Sequence, residues 1–470
     1  MTGVDVDLQA LARTAPVHFV GVGGAGMCAL AELLLRDGGQ VSGCDVKDSR
    51  ALHDLERLGA VVHVGHDAHH VDGASALVVT SAMPTNHPEI FRAMEEGIPV
   101  LKRAQALGAW VNRGRLVAVA GTHGKTTTTA MATEILAAAG LDPTGLVGGR
   151  VARWDGNLRF GATDLYVVEA DEYDRSFHTL TPDVAVVTNV EADHLDVYGD
   201  LDGVRTGFRT FLNGVRGEGR VAVCADDAGA SALLGGLGDR GYSYGLSAGS
   251  QLRAVDVRVD LASTTCRIVE DGRDRGTFTL SVTGRHNLRN ALGAAAAARV
   301  VGADWAAVGV ALADFRGVGR RFERLGEARG VTVVDDYAHH PTELRATLDA
   351  ARSAFPGRRL VAAFQPHLYS RTRDFHHDFG EAVAAADAVW ITDVFPAREA
   401  PIPGVTGALV SESAEGAGAG DVHYVPELDA LSAALAEALR PGDVLLTMGA
   451  GSVERLGGDV LRLLEEGGNA

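Results

Sequence analysis

The amino-acid sequence predicts an α/β protein built from three successive units. Three observations carry this: the length, a repeated alternation of buried strand and amphipathic helix, and glycine-rich loops at two strand–helix junctions. A chain of 470 residues is too long for one core and, at roughly 100–200 residues per domain, implies about three. VHFVGVG (17–23) reads as a buried strand and GMCALAELLLRDG (26–38) as the helix after it, followed by strands in VSGCD (41–45) and ALVVTSA (76–82). This βαβ rhythm implies a parallel sheet with both faces covered. A second unit opens at RLVAVAGTHGKTTTTAMATEILAAAG (115–140) and continues through strands in DLYVVEADEYD (164–174) and DVAVVTNVEADH (183–194). Alternating polarity over 250–283 marks a β excursion. The third unit follows FRGVGRR (315–321), with strands in VTVVDDYAHH (331–340), RLVAAFQPH (359–367), DAVWITDV (387–394) and DVLLTMGAGS (443–452). Boundaries near residues 113 and 317 divide the chain into 1–113, 114–317 and 318–470.

Composition limits the function classes. With 46% hydrophobic and 22% charged residues, the chain has the balance of a soluble globular protein and not of a disordered, coiled-coil or collagenous one. No apolar run approaches the roughly 18–20 residues that span a bilayer. Asp5 and Asp7 stand where a signal peptide needs positive charge, so a cytoplasmic location is expected. A net charge of −18 argues against nucleic acid or acidic membranes as partners, and any anionic substrate must be held by local groups. Cys28, Cys44, Cys224 and Cys266 form no CxxC pair, which suggests neither a disulfide framework nor a zinc knot. HDAHH (66–70), with no cysteine beside it, reads as a solvated loop.

GVGGAG, Gly21 to Gly26, satisfies GxGxxG between a strand and a helix, with Asp45 about 20 residues on. Such a loop lets the backbone approach a diphosphate at a helix N-terminus, but does not say which nucleotide carries it. A nicotinamide-dependent dehydrogenase therefore stays open on this motif alone. AGTHGKTTTT (120–129) is more specific. A phosphate loop needs backbone N–H donors, a lysine on the transferring phosphate and a hydroxyl for Mg²⁺, and Lys125 and Thr126 stand in those two places. Position 119 is Val119, so a shorter GxxGKT loop from Gly121 and Gly124 remains. Lysine is scarce: of 43 basic residues only Lys47, Lys102 and Lys125 are lysine. A compact ammonium kept in this loop, in a chain that otherwise uses arginine, points to ATP. Glu169, Asp171, Glu172 and Asp174 close the next strand, and Glu191, Asp193, His194 and Asp196 the one after. Both ends fall on the edge where α/β sheets bind ligands, and hard divalent ions want such oxygen donors; a solvated acidic loop is the alternative.

GTHGKTTTT, EADEYD, NVEADH, GRHNLRNALGA (284–294), GRRFERLG (319–326), DDYAHHPTEL (335–344) and FQPHLYSRTRDF (364–375), in this order, resemble the Mur ligase family over essentially the whole chain. The resemblance implies an N-terminal Rossmann-like UDP-binding domain, a central P-loop-type ATPase domain and a C-terminal Rossmann-like domain that binds an amino acid. It implies an ATP-dependent amide ligase of peptidoglycan precursor synthesis. HFVGVGGAGM and the last two motifs resemble the branch that joins L-alanine to UDP-N-acetylmuramate through an acyl phosphate. A ligase that reuses a murein tripeptide is the alternative within the family.

By the same resemblance, Gly23, Gly24, Ala25, Gly26, Met27, Asp45 and Ser81 contact the UDP substrate. ATP is held by Gly121, Thr122, His123, Gly124, Lys125, Thr126, Thr127, Asn287 and Asn290, joined by Arg321 and Asp336. Two Mg²⁺ ions, replaceable by Mn²⁺, are expected at Thr126 and at Glu169 with His194. His339, His340 and Arg371 lie near the alanine, and Lys125, Glu169, His194, Arg321, His339 and Arg371 form the catalytic set. A monomer or homodimer is implied. Relatives that use a carbamylated lysine near the metal have no counterpart here, because no lysine follows Lys125. Tyr173 and Leu368 depart from the family pattern, so a carboxylate contact from position 368 is in doubt.

The chemistry is consistent with this implication. A carboxylate does not react with amines at neutral pH until its oxygen becomes a leaving group, and the charge that then gathers needs Lys, Arg and Mg²⁺ around it. A histidine can take the amine proton near pH 7. His339 and His340 suit that role; the alternative is that HHP simply ends a strand before a helix starting near Pro341. Arg371 and Arg373 have the alternative reading of a helix N-terminal ion-pair cluster.

Overall fold

A computed structural model describes residues 6–80, 83–84, 86–397 and 399–467. Three sheets form, as the strand–helix alternation predicts. The first is five-stranded and parallel, in the order Val61–Val64, Val41–Asp45, Val17–Val20, Ala76–Val79, Val100–Lys102. Val17–Val20 is buried throughout, as a strand covered on both faces must be, and the chain reverses direction of winding on either side of it. That reversal opens a crevice beyond the carboxyl end of Val17–Val20, where the first glycine loop lies. Helix Ala25–Arg36 follows and buries Met27, Leu30, Leu33 and Leu34.

The second sheet has ten strands, with Arg115–Ala120 between Val184–Val187 and Leu165–Glu169. The β excursion takes the form of Leu252–Val259, Thr264–Glu270 and Arg273–Leu280, which extend this sheet at one edge. The sheet changes after Val100–Lys102, but the hydrophobic core does not. Leu30 and Leu33 from the first sheet's helix share one buried cluster with Leu146, Leu158 and Val168 from the second. Each such fully buried aliphatic side chain contributes roughly 1.5–3 kcal/mol.

The third sheet runs Glu323–Ala328, Val331–Asp336, Val444–Met448, Leu360–Phe364, Ala388–Ile391, Val422–Tyr424. Only the edge strand Glu323–Ala328 is antiparallel. It was not legible from hydrophobic pattern, because five of its six residues are not buried. The described residues pack as two compact units, one made of those up to 257 with 265–280 and 287–316, the other of 258–264, 281–286 and those from 317 onward.

The tightest backbone requirement lies at the second glycine loop. Gly121 has φ +141°, and a Cβ there would sit 1.9 Å from the Thr188 hydroxyl oxygen. Gly121→Ala should therefore lower unfolding free energy by at least about 2 kcal/mol through combined strain and overpacking. Urea denaturation measures this, and an unchanged midpoint would contradict the packing described.

Candidate active site

The loop after Arg115–Ala120 is pinned by the neighbouring strand end. The Asn189 side-chain oxygen accepts the His123 N–H at 2.8 Å, and the Asn189 carbonyl accepts the Thr122 N–H at 3.2 Å. The Thr188 hydroxyl donates to the His123 carbonyl at 2.5 Å, and the Thr122 hydroxyl accepts the Glu191 N–H at 3.0 Å. Thr188 and Asn189 are thus the loop's supports, which sequence reading passed over as an ordinary strand exit. The helix Lys125–Ala138 begins at Gly124, which has φ +80° and no side chain to cap the first turn. Its leading N–H groups carry the helix's partial positive charge, an arrangement suited to phosphate. Asn290 lies against this turn: a Cβ on Gly124 would meet its side-chain oxygen at 2.5 Å. Asn287, one helical turn earlier, is likewise buried.

Lys125 folds back over the loop. Its Nζ donates to the Gly121 carbonyl at 2.6 Å and to Glu172 Oε2 at 2.8 Å. Burial pulls the Lys125 pKa down, but Glu172, Asp171 and Glu169 outweigh it and hold the ammonium charged. Burial lifts the Glu172 carboxyl to about 7; the ammonium opposes the rise and Asp171 adds to it. Glu169 is raised by burial too, against the Gly148 N–H that donates to it at 2.5 Å and the Thr126 hydroxyl. His194 presents Nε2 3.9 Å from Glu172 Oε1 and 3.8 Å from Asp193 Oδ2. Thr126 and Glu169, expected as metal ligands, are therefore in contact, whereas His194 faces Glu172. Buried carboxylates lifted in this way ionise fully only beside added positive charge, and their oxygens with the Thr126 hydroxyl make a hard donor set that fits Mg²⁺.

The first glycine loop opens on the same region. A cleft of about 330 Å³ is lined by Gly24, Ala25, Gly26 and Met27 on one side and by Gly148, Glu169 and Asp171 on the other. Arg103, not singled out from sequence, lies over Gly26: a Cβ there would be 3.1 Å from its guanidinium, which reaches within 4.0 Å of Asp171. Asp45 Oδ2 accepts the Gly23 N–H at 2.9 Å, so Asp45 clasps the loop. Ser81 lies outside the described residues; Thr80 beside it lines the cleft.

The remaining expected residues belong to the other compact unit. Asp336 accepts backbone N–H groups from Phe322 and Ala338, both at 2.8 Å. Arg321 is 3.5 Å from Glu343, with its guanidinium 5.0 Å from the Tyr337 ring centre. His339 Nδ1 lies 2.9 Å from the Tyr337 carbonyl and 3.2 Å from Glu343. Because a carbonyl only accepts, Nδ1 carries a proton, which leaves Nε2 as the ring atom not engaged by the Tyr337 carbonyl. His340 caps the helix Pro341–Ala354 by accepting the Thr342 N–H, and Arg371 is buried in helix Tyr369–Val383. Leu368 has φ +69° at the start of that helix.

The solvated-loop expectation for HDAHH holds for Asp67 and His69, which are exposed, but not for the inward-facing ring nitrogens of His66 and His70. His66 and His70 each place Nδ1 3.5 Å from a Glu89 carboxylate that is fully buried, and His66 Nδ1 is 3.2 Å from the Cys44 sulfur. A buried carboxylate draws donors inward, and its partners were invisible locally because Cys44 and Glu89 are distant in sequence.

Comparison with known proteins agrees with this arrangement. Residues 16–115 match the family model described as "Mur ligase family, catalytic domain", 119–298 the "Mur ligase middle domain" and 320–451 "Mur ligase, glutamate ligase domain". A UDP-N-acetylmuramate–L-alanine ligase of Salinibacter ruber is 46% identical over 463 residues, covering 98% of each chain. The chain belongs to the Mur ligase family. Among solved Mur ligase structures, the UDP-N-acetylmuramate–alanine ligase of Thermotoga maritima is 29% identical with a TM-score of 0.82, covering 96% of this chain and 100% of that one. A murein peptide ligase of Psychrobacter arcticus is 26% identical with a TM-score of 0.70, covering 96% and 99%.

Burial lifts Asp336 to about 6, Arg321 opposing and Glu343 adding to the rise. Its folded pKa thus exceeds its unfolded value, so the folded state holds the proton longer and stability falls as pH climbs from about 4 to 6. Asp336→Asn should remove that portion of the slope in urea midpoints measured across this range. An identical slope in both proteins would contradict the assignment.

Proposed function

We infer that the protein is an ATP-dependent ligase that joins L-alanine to UDP-N-acetylmuramate. One observation carries this reading: a single cleft runs from the first glycine loop to Glu169 and Asp171, beside the Lys125 loop. A substrate with a diphosphate at one end and a carboxylate at the other spans such a cleft. Gly24 to Met27 and Arg103 would hold the UDP end, and the carboxylate would lie toward Glu169. A nicotinamide reading of GVGGAG leaves the phosphate loop and its buried carboxylates without a task. The ligase of a murein tripeptide is the second reading, disfavoured by the greater likeness to alanine-adding relatives.

The helix N-terminus at Gly124 and the Lys125 ammonium bind the triphosphate, with Asn290 beside the turn. A phosphate oxygen then takes the place of Glu172 on Lys125. The substrate carboxylate oxygen attacks the terminal phosphorus, ADP departs, and an acyl phosphate forms. Thr126, Glu169 and further oxygens of the cluster would hold Mg²⁺, which would supply charge stabilisation on the phosphoryl oxygens. Lys125 neutralises charge on the transferring group, where preorganised cations count most. The alanine amine must shed a proton before attacking the acyl carbon and releasing phosphate. His339 Nε2, on the side of the ring away from the Tyr337 carbonyl, is the acceptor we propose; His340, tied to its helix cap, is not. Arg321 is proposed as an ATP contact and Arg371 as an alanine contact, with working boundaries near residues 113 and 317. ATP and a UDP-sugar as substrates place the reaction in the cytoplasm, and among the described residues no helix is long and apolar enough to cross a membrane.

Phosphate release should require UDP-N-acetylmuramate and L-alanine together for sustained turnover, and the murein tripeptide should not replace alanine. ATP hydrolysis indifferent to the sugar nucleotide would contradict the reading. Lys125→Ala should lower turnover about 10²–10³-fold, the scale of one electrostatic group at the transition state. Near-normal turnover would remove Lys125 from its role.

A further inference from the structure

The side chains His18, Cys44, His70 and Glu89 converge inside the N-terminal sheet layer. One ligand-type atom from each lies within 4.8 Å of all the others. Around Glu89, the Cys44 sulfur is at 3.2 Å, His18 Nε2 at 3.5 Å and His70 Nδ1 at 3.5 Å. Tetrahedral zinc bonds of roughly 2.0–2.3 Å set ligand atoms about 3.3–3.6 Å apart; the three contacts to Glu89 are close to that spacing, and the whole group needs only a small contraction to reach it. The group is buried: His18, Cys44 and Glu89 have 0% exposure. Yet His18 Nε2 and His70 Nδ1 make no hydrogen bond of good geometry among the described residues and meet Glu89 only as long ion-pair contacts at 3.5 Å. Buried ring nitrogens aimed at a carboxylate and a thiol, without hydrogen bonds of their own, are costly unless something else satisfies them.

The surroundings are those of a ligand shell. His18 bonds through its other nitrogen to the Ser42 hydroxyl at 2.8 Å, which fixes the ring and leaves Nε2 directed inward. His63 stacks on His70 with ring centres 4.2 Å apart. The Asp67 N–H donates to Glu89 at 3.2 Å. One sulfur, two imidazoles and one carboxylate suit Zn²⁺, and are poor for Mg²⁺, which prefers oxygen alone. We propose that His18, Cys44, His70 and Glu89 form a tetrahedral site for a zinc-class transition-metal ion. The cluster's less buried edge at His66 and His70 is the route by which the ion reaches it. Binding deprotonates the Cys44 thiol, which burial and Glu89 otherwise keep protonated, and releases that proton to solvent. The site ties two strands, a 3₁₀ turn and the helix Pro88–Glu95 together. It also stands directly under the glycine loop, since the Cys44 carbonyl accepts the Gly21 and Val22 N–H groups at 2.8 and 3.0 Å.

The test is titration of the purified full chain, in excess Mg²⁺, with Co²⁺ as spectroscopic probe and Zn²⁺ as competitor. The expected result is one Co²⁺ per chain, with thiolate-to-cobalt charge transfer and tetrahedral d–d bands, displaced by one equivalent of Zn²⁺. Cys44→Ser should lose the charge-transfer band, and His70→Asn, at the less buried edge, should weaken Co²⁺ binding at least tenfold while circular dichroism stays unchanged. His70→Asn decides the matter should Cys44→Ser fail to fold. Zn²⁺ should raise Tm in the unaltered protein and not in His70→Asn. Absence of stoichiometric binding at micromolar metal, a band that survives Cys44→Ser, or unaltered affinity in His70→Asn would overturn the proposal. The cluster would then serve only to surround a buried carboxylate.

Discussion

One buried ammonium among carboxylates organises the active site. Lys125 is held by Glu172 at 2.8 Å and by the loop's own carbonyls, with Glu169 and Asp171 close enough to keep it charged. The balance is incomplete: burial leaves Glu172 and Glu169 raised. A site with more buried negative than positive charge is poised to gain cations. Removing one partner of such a pair strands the other, which is why the loop, the strand ends and the cleft have to be considered together.

The fold explains how one short loop reaches all of these groups. Arg115–Ala120 is flanked on both sides by parallel strands, so Glu169 and the Thr188–His194 segment emerge on either side of the phosphate loop. The first sheet's switch point faces the same cleft, and the common core of the two layers fixes that relation. Hydrophobic burial thus sets the distance between the first glycine loop and the carboxylates beside Lys125.

The sheet strands and both glycine loops were legible because buried parallel strands read as continuous apolar runs and GxxGKT has few other uses. The acidic cluster was legible as a cluster but not residue by residue. Asp174 and Arg175 take left-handed backbone angles, so no helical or strand periodicity tells which carboxylate turns toward Lys125. Glu172 was passed over for this reason, and Arg103 because an arginine opening a helix looks like any surface cation. Asp45 was read as a substrate contact, and its bond to Gly23 shows it clasping the loop. The histidine cluster was missed outright, since Cys44 lies on a strand and Glu89 on a helix far from HDAHH.

The central claim is that ATP activates a carboxylate at this site. It is tested most directly by following the carboxylate's own oxygen. UDP-N-acetylmuramate labelled with ¹⁸O in its carboxyl group is incubated with enzyme, ATP, Mg²⁺ and L-alanine, and the released phosphate is examined by mass spectrometry. An acyl phosphate intermediate transfers one carboxyl oxygen to each phosphate released with amide formation. Amide formed with wholly unlabelled phosphate would contradict the account.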